Sequence, residues 1–163
     1  MEPFIRAQYK LNVGTKHQDG MDPATGARYE IKTNKALTPR PKLLKLLDRI
    51  FSEKNNTEFL RMVSYDDRYL AQYGANVQNV KRDHFDFLIY VILFSDMVLV
   101  FQIAVGNITK DRVKAWSGKH GLYDADGKSG QFNIDKRSIV HHEKENLKDL
   151  FTYEQLLERY ETL

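Results

Sequence analysis

The chain has 163 residues, no cysteine, and a net charge of +3 with an isoelectric point near 9.0. This length supports one hydrophobic core, the lack of cysteine excludes disulfides and cysteine-based zinc sites, and the mild basicity permits nucleic-acid binding without requiring it. The longest apolar run, from Phe85 to Phe94, is too short to cross a bilayer, and the N-terminus lacks a signal-peptide pattern. We therefore expect a single cytoplasmic domain over residues 1–163 that is not bound to a membrane.

A short helix is predicted at the start of the chain, from Pro3 to Val13. Proline is suited to the first turn of a helix, and Gly14 stands where a left-handed C-terminal cap would fall. The helix is expected to end there, before a polar run that carries the candidate site.

A strand is predicted over residues 29–33, Tyr-Glu-Ile-Lys-Thr, because Tyr, Ile and Thr favour extended backbone. Side chains alternate between the two faces of a strand, so Glu30 and Lys32 should share one face. The preceding residues 18–22, Gln-Asp-Gly-Met-Asp, favour a turn and a hairpin-like return that places a second carboxylate beside Glu30. Carboxylates are suitable ligands for Mg²⁺, and a nearby lysine can orient or deprotonate an attacking water.

The spacing of Asp19 and Glu30-Ile31-Lys32, eleven residues apart, resembles the PD-(D/E)XK nuclease motif. The flanking sequence resembles type II restriction endonucleases, especially the small blunt-cutting dimeric enzymes, in which an Asp-x-x-Asp run leads into Tyr-Glu-hydrophobic-Lys-Ser/Thr. One departure is Gln18, which stands where the family name places proline.

This resemblance implies an α/β fold with a restriction-endonuclease-like core, a central mixed sheet of about five strands flanked by helices. It also implies that Asp19 and Glu30 hold Mg²⁺, that the backbone carbonyl of Ile31 fills a further metal position, and that Lys32 positions or activates water. The catalytic motif then spans residues 19–32. Asp22 remains the alternative to Asp19, which is preferred only for its family spacing.

The most basic stretch follows this motif, with seven basic and two acidic side chains between residues 32 and 54. Apolar residues at helical spacing predict a helix from Lys42 to Lys54. Such a stretch could contact DNA phosphates, or it could be the solvated face of an amphipathic helix. The predicted DNA contacts in this stretch are Lys35, Arg40, Lys42 and Lys45.

A further helix is predicted from Thr57 to Tyr73, as an insertion over about residues 55–75 that ends at Gly74. The strongest fold signal comes next: residues 85–105 form two apolar runs separated by Ser-Asp-Met, which predicts a hairpin in the middle of a sheet. Thr109 is then placed to cap a helix.

A polar, glycine-rich loop is predicted over residues 117–133. Lysine and amide side chains in such a loop can contact base edges, with Gln and Asn pairing best with adenine and Lys with guanine. A plain surface loop is the alternative. The predicted DNA contacts are Lys119, His120, Lys128, Ser129, Gln131 and Asn133. At the end of the chain, a capping box of Thr152 and Gln155 predicts a last helix over residues 152–161.

The predicted function is Mg²⁺-dependent, sequence-specific hydrolysis of phosphodiester bonds in double-stranded DNA, as a type II restriction enzyme or its small subunit. One such site cuts one strand, so double-strand cleavage requires a homodimer or a partner subunit. Two alternatives are another PD-(D/E)XK nuclease, for DNA repair or junction resolution, and a non-enzymatic DNA-binding module in which Glu30 and Lys32 are an ion pair only.

Overall fold

The computed structural model describes residues 1–15, 18–39, 58–113 and 130–162. The predicted helix over 42–54 and several predicted DNA contacts lie outside these residues; those contacts are Arg40, Lys42, Lys45, Lys119, His120, Lys128 and Ser129. The strands are β1 Asn12–Val13, β2 Gly20–Met21, β3 Arg28–Lys35, β4 Ala75–Val80, β5 Phe87–Leu93, β6 Met97–Ala104, β7 Gly130–Ile134 and β8 Leu147–Thr152. The helices are α1 Glu2–Gln8, α2 Lys110–Val113, α3 Ile139–Asn146 and α4 Tyr153–Thr162.

The described strands form a central six-stranded sheet in the order β1-β2-β3-β5-β6-β8 and a separate two-stranded sheet of β4 and β7. The central sheet is mixed: β3 pairs in parallel with β5, and all the other strand pairs of this sheet are antiparallel. Helices flank this sheet, which confirms the predicted α/β class with a mixed central sheet. The sheet has six strands, compared with about five expected.

The predicted hairpin of residues 85–105 is confirmed as β5 and β6, paired from Phe87 opposite Ala104 to Leu93 opposite Val98. Successive residues of β5 enter different cores, since Tyr90 and Ile92 lie in one hydrophobic cluster and Ile89 and Val91 lie in the other. A strand that is apolar on both faces needs cover on both faces. This pair therefore forms the centre of the sheet, beside the strand that carries the candidate site.

The N-terminal helix is shorter than predicted, since α1 ends at Gln8 and residues 12–13 form β1. The left-handed residue after the helix is Lys10, with φ of 54°. Gly14 is therefore not a helix cap. It is needed for a close backbone approach, because a Cβ atom at Gly14 would lie 2.0 Å from the carbonyl oxygen of Gln18.

The predicted helix from Thr57 to Tyr73 is wrong for its described part, which has only two short 3-10 turns, Phe59–Arg61 and Asp66–Tyr69. The backbone of this segment forms hydrogen bonds with other parts of the chain. Val63 donates to the carbonyl of Ala36 at 3.0 Å and accepts from Ser95 at 2.9 Å. These bonds replace the intrahelical bonds that a helix would require.

The last predicted helix is confirmed as α4, one residue displaced from the expected bounds. Its capping box is present: the Thr152 amide donates to Gln155 Oε1 at 2.9 Å, and the Gln155 amide donates to Thr152 Oγ1 at 3.2 Å.

Among the described residues, no helix combines the length and apolar character that crossing a membrane requires.

A buried polar pair joins α3 to the central sheet. His142 is fully buried, and its Nε2 donates to the carbonyl of Val113 at 3.1 Å. The other ring nitrogen, Nδ1, accepts from the Tyr90 hydroxyl at 2.8 Å. Burial lowers the pKa of His142 to about 4, and the neighbouring His141 adds to this effect. The imidazole is therefore neutral in the folded protein at neutral pH.

Acid should destabilise the protein through this histidine. The folded pKa of His142 is about 4 and its ordinary value is 6.5, so the unfolded chain binds the proton first as the pH falls. We expect the free energy of unfolding to fall by about 3 kcal/mol between pH 7 and pH 4 from this group alone. Urea unfolding across this pH range measures the effect.

The control is the double variant Tyr90→Phe with His142→Phe, which removes the titrating ring and retains an aromatic ring beside Phe132. Its stability should depend less on pH than that of the natural chain. An equal acid dependence in both proteins would contradict the assignment to His142.

Candidate active site

The β2–β3 hairpin places Asp19 beside Glu30, as the sequence predicts. Gly20 lies opposite Tyr29, and the Asp19 amide donates to the Tyr29 carbonyl at 2.9 Å. Asp19 thus lies at the bend just before β2, with its backbone bonded to the residue that precedes Glu30. The short turn over residues 22–27 closes this hairpin, with Gly26 at a φ of 73°.

Glu30 and Lys32 lie on the same face of β3 and form an ion pair between Oε1 and Nζ. The Glu30 side chain is 12% exposed and the Lys32 side chain 26% exposed. Burial raises the pKa of Glu30, while Lys32 and His84 lower it and the charge of Asp19 raises it further. The charges of Asp19, Lys32 and His84 therefore all act on one partly buried carboxylate.

The Asp19 side chain is held by the strand that carries Glu30. Its Oδ2 accepts a hydrogen bond from the backbone amide of Ile31 at 2.8 Å. In an extended strand, the N–H and C=O of one residue point to the same edge. The carbonyl of Ile31 therefore points to the edge of β3 at which Asp19 lies.

Asp22 has a different environment from Asp19. Its Oδ1 accepts from the amides of Ala24 at 2.8 Å and Thr25 at 3.3 Å, which stabilises the hairpin turn. The hydrogen bond from Ala24 lowers the pKa of Asp22. The carboxylate that lies with Glu30 is thus that of Asp19, while Asp22 holds the turn.

An open cleft of about 380 Å³ contains Asp19, Glu30 and Lys32 together. The cleft is also lined by Asn79, Lys81 and His84, from the end of β4 and the turn that follows. These three residues were not predicted from the sequence, because they belong to no motif and lie about fifty residues beyond Glu30 in the chain. One signal was present: Lys81 places a positive charge shortly before the apolar run that predicts a strand.

The other predicted DNA contacts within the described residues are not in this cleft. Lys35 lies at the end of β3, where its Nζ is 2.7 Å from Glu58 Oε2 in an exposed ion pair. Gln131 and Asn133 were expected in a loop, but residues 130–134 form β7. The loop prediction is wrong for these residues, because Phe132 and Ile134 alternate with them along a strand and are buried in the core.

Within residues 1–15, 18–39, 58–113 and 130–162, no cluster of three or more His, Asp or Glu side chains is arranged to hold a metal ion. Asp19 and Glu30 supply the carboxylates among the described residues that line the cleft. This donor set fits Mg²⁺, which is commonly held by one or two carboxylates and completes its shell with water and substrate phosphate. It does not fit a closed structural site, which needs more protein ligands.

Comparisons with known proteins give no assignment, since no family model, curated protein or solved structure matches the chain.

Proposed function

We propose that the chain is a Mg²⁺-dependent endonuclease that hydrolyses phosphodiester bonds of double-stranded DNA, as a type II restriction enzyme does. The observation that supports this proposal is the convergence of Asp19, Glu30 and Lys32 in one open cleft. Metal-assisted phosphodiester hydrolysis needs carboxylates that hold the ion and a group that positions or activates water, and the hairpin supplies two carboxylates and an ammonium.

Each residue of the cleft has a distinct role in this proposal. Asp19 and Glu30 hold the ion, and the Ile31 carbonyl is a further ligand at the same edge. When bound, Mg²⁺ neutralises charge that develops on the phosphate and lowers the pKa of a bound water. Lys32, whose Nζ contacts Glu30, positions or activates the attacking water. The hydrogen bond from Ile31 keeps the Asp19 carboxylate oriented toward Glu30.

We also propose that the central sheet is a restriction-endonuclease-like core. The support is that the motif lies on a hairpin whose second strand, β3, pairs in parallel with β5 at the centre of the sheet. One cleft cuts one DNA strand, so cleavage of both strands needs a second copy of the chain or a partner subunit.

Incubation of the protein with supercoiled plasmid, with and without Mg²⁺, tests the proposed function. Nicked or linear products that require Mg²⁺ would support it, whereas intact plasmid at high protein concentration would contradict it. A four-way junction as a second substrate distinguishes a junction-resolving nuclease from a restriction enzyme, since a junction-resolving enzyme should cut the junction in preference to a linear duplex.

Lys81, which lines the same cleft as Glu30, is proposed to contact a DNA phosphate. Phosphates are present in every sequence, so Lys81→Ala should weaken binding to all duplexes alike. It should also reduce the slope of log affinity against log salt by about one unit. Binding titrations at several salt concentrations measure both effects.

The matched control is Lys144→Ala, because the Lys144 side chain is 79% exposed on α3 and is not part of the cleft. Its salt slope should equal that of the natural chain. An unchanged slope for Lys81→Ala would remove Lys81 from the DNA interface.

A further inference from the structure

The backbone of Asp19 is held by the N-terminal segment of the chain. Its carbonyl oxygen accepts one hydrogen bond from the Gly14 amide at 3.2 Å and another from Arg6 Nη1 at 3.3 Å. A carbonyl oxygen has two lone pairs, so both acceptor positions of this oxygen are used. The peptide group that joins Asp19 to Gly20 is therefore fixed in its orientation.

The remaining polar groups of Asp19 are bonded to β3. Its amide donates to the Tyr29 carbonyl at 2.9 Å, and its Oδ2 accepts from the Ile31 amide at 2.8 Å. Asp19 is thus tied both to the strand that carries Glu30 and to the N-terminal segment. Hydrogen bonds at the amide, the carbonyl and the side chain together leave this residue little freedom to rotate.

Arg6 is itself held in place by helix α1. Phe4 and Ile5 of this helix are buried in the same hydrophobic cluster as Ile31 of β3. The Arg6 guanidinium also forms an ion pair with Glu2, one turn earlier, and its side chain is only 22% exposed. A partly buried and paired guanidinium has a defined orientation, so Arg6 is a fixed donor rather than a mobile surface side chain.

Gly14 allows the N-terminal segment to approach Asp19 closely. A Cβ atom at position 14 would lie 2.0 Å from the carbonyl oxygen of Gln18 and 2.7 Å from the carbonyl carbon of Asp19. Both are backbone atoms, so a larger residue at position 14 would displace the segment that carries Asp19. The position of the Asp19 backbone therefore depends on this contact.

We propose that Arg6 is a positioning residue for the metal site, which together with the Gly14 amide orients Asp19 so that its carboxylate can bind Mg²⁺ beside Glu30. This inference rests on the proposed function, because it takes Asp19 to be a metal ligand. Mg²⁺ demands near-ideal octahedral geometry, whereas Ca²⁺ accepts a flexible set of oxygen ligands. A small rotation of Asp19 should therefore weaken the binding of Mg²⁺ more than that of Ca²⁺.

Arg6→Met tests the proposal, because it removes the donor and keeps a long side chain. Calorimetric titration of the full chain with Mg²⁺ alone should give an affinity about 10-fold lower than that of the natural chain. Titration with Ca²⁺ should show a smaller loss. In the plasmid assay, the Mg²⁺ concentration for half-maximal cleavage should rise by a similar factor, while the rate at saturating Mg²⁺ should change little. Arg6→Lys retains a cationic donor and should restore most of the affinity for Mg²⁺.

The matched control is Arg61→Met. Arg61 also donates to a backbone carbonyl, that of Thr38, at 2.6 and 3.1 Å, and it does not line the cleft. Its loss should lower stability against urea while leaving the affinity for Mg²⁺ unchanged. A loss of Mg²⁺ affinity in Arg6→Met but not in Arg61→Met would separate positioning of Asp19 from a general loss of stability.

Gly14→Ala tests the same contact from the backbone. It should lower the affinity for Mg²⁺ by at least about 10-fold, because the added Cβ atom displaces Asp19. Gly106→Ala is its control, since a Cβ atom there would meet no heavy atom of the described chain within 4 Å. That variant should bind Mg²⁺ like the natural chain.

An affinity for Mg²⁺ in Arg6→Met equal to that of the natural chain would overturn the proposal. So would equal losses of Mg²⁺ and Ca²⁺ affinity, because they would show that geometry is not what Arg6 controls. A natural chain that binds Mg²⁺ through Arg6-dependent geometry but never cuts DNA would retain the positioning role and refute the nuclease. A natural chain that binds no Mg²⁺ would refute the metal site and the role of Arg6 together.

Discussion

Glu30→Gln is expected to slow Mg²⁺-dependent DNA cleavage by at least about 100- to 1000-fold, because loss of a metal ligand removes several kcal/mol of charge stabilisation from the transition state. Glutamine has nearly the shape of glutamate but cannot supply the negative charge. The side chain is only partly buried and its partner Lys32 reaches solvent, so the fold should be retained. Single-turnover cleavage of plasmid, with circular dichroism on the same samples, measures both properties.

Glu145→Gln is the matched control for this variant. Glu145 lies on α3, is 48% exposed and is not part of the cleft, so the same chemical change there should leave the cleavage rate unaltered. A Glu30→Gln protein that cuts at nearly the natural rate would show that the site has been misplaced. DNA binding should persist in part, because phosphate contacts do not depend on this carboxylate.

Asp19→Asn should cause a comparable loss of cleavage, about 100-fold or more, through the second carboxylate of the cleft. The asparagine side-chain oxygen can still accept the hydrogen bond from the Ile31 amide, which Asp19 Oδ2 accepts at 2.8 Å. The substitution therefore removes charge while keeping this contact. Asp19→Ala would also leave the Ile31 amide without its partner, so a greater loss of stability in alanine than in asparagine would support this geometry.

Asp22→Ala distinguishes the two candidate aspartates. Asp22 accepts hydrogen bonds from Ala24 and Thr25 at the hairpin turn, so its loss should lower stability slightly and leave cleavage close to the natural rate. If Asp22→Ala abolished cleavage while Asp19→Asn did not, the assignment would have to be reversed. The same plasmid assay and thermal unfolding measure both variants.

The local sequence was sufficient to predict the elements that depend on short-range patterns. Strand alternation placed Glu30 and Lys32 on one face, and the ion pair between them agrees with that placement. The apolar runs of residues 85–105 predicted the central hairpin because no other arrangement buries both faces of such strands. The capping box at Thr152 likewise fixed the start of the last helix within one residue.

The errors arose where distant parts of the chain compete with local preference. Residues 58–73 have apolar side chains at partly helical spacing, but Val63 pairs its backbone with Ala36 and Ser95, which a local pattern cannot reveal. Gln131 lies in a polar stretch, yet the pairing of β7 with β4 makes it part of a strand. The contribution of Asn79, Lys81 and His84 to the cleft could not be predicted for the same reason, since the approach of β4 to β3 determines where Lys81 lies.

The most direct test of the central claim is cleavage of a long linear DNA of known sequence by the natural chain and by Glu30→Gln, each with Mg²⁺ or with EDTA. The proposed enzyme should produce a discrete set of fragments only from the natural chain with Mg²⁺, because the cut requires both the ion and the Glu30 carboxylate. The absence of fragments at any concentration of the natural chain, or the same fragments from Glu30→Gln, would contradict the assignment of a nuclease site to Asp19, Glu30 and Lys32.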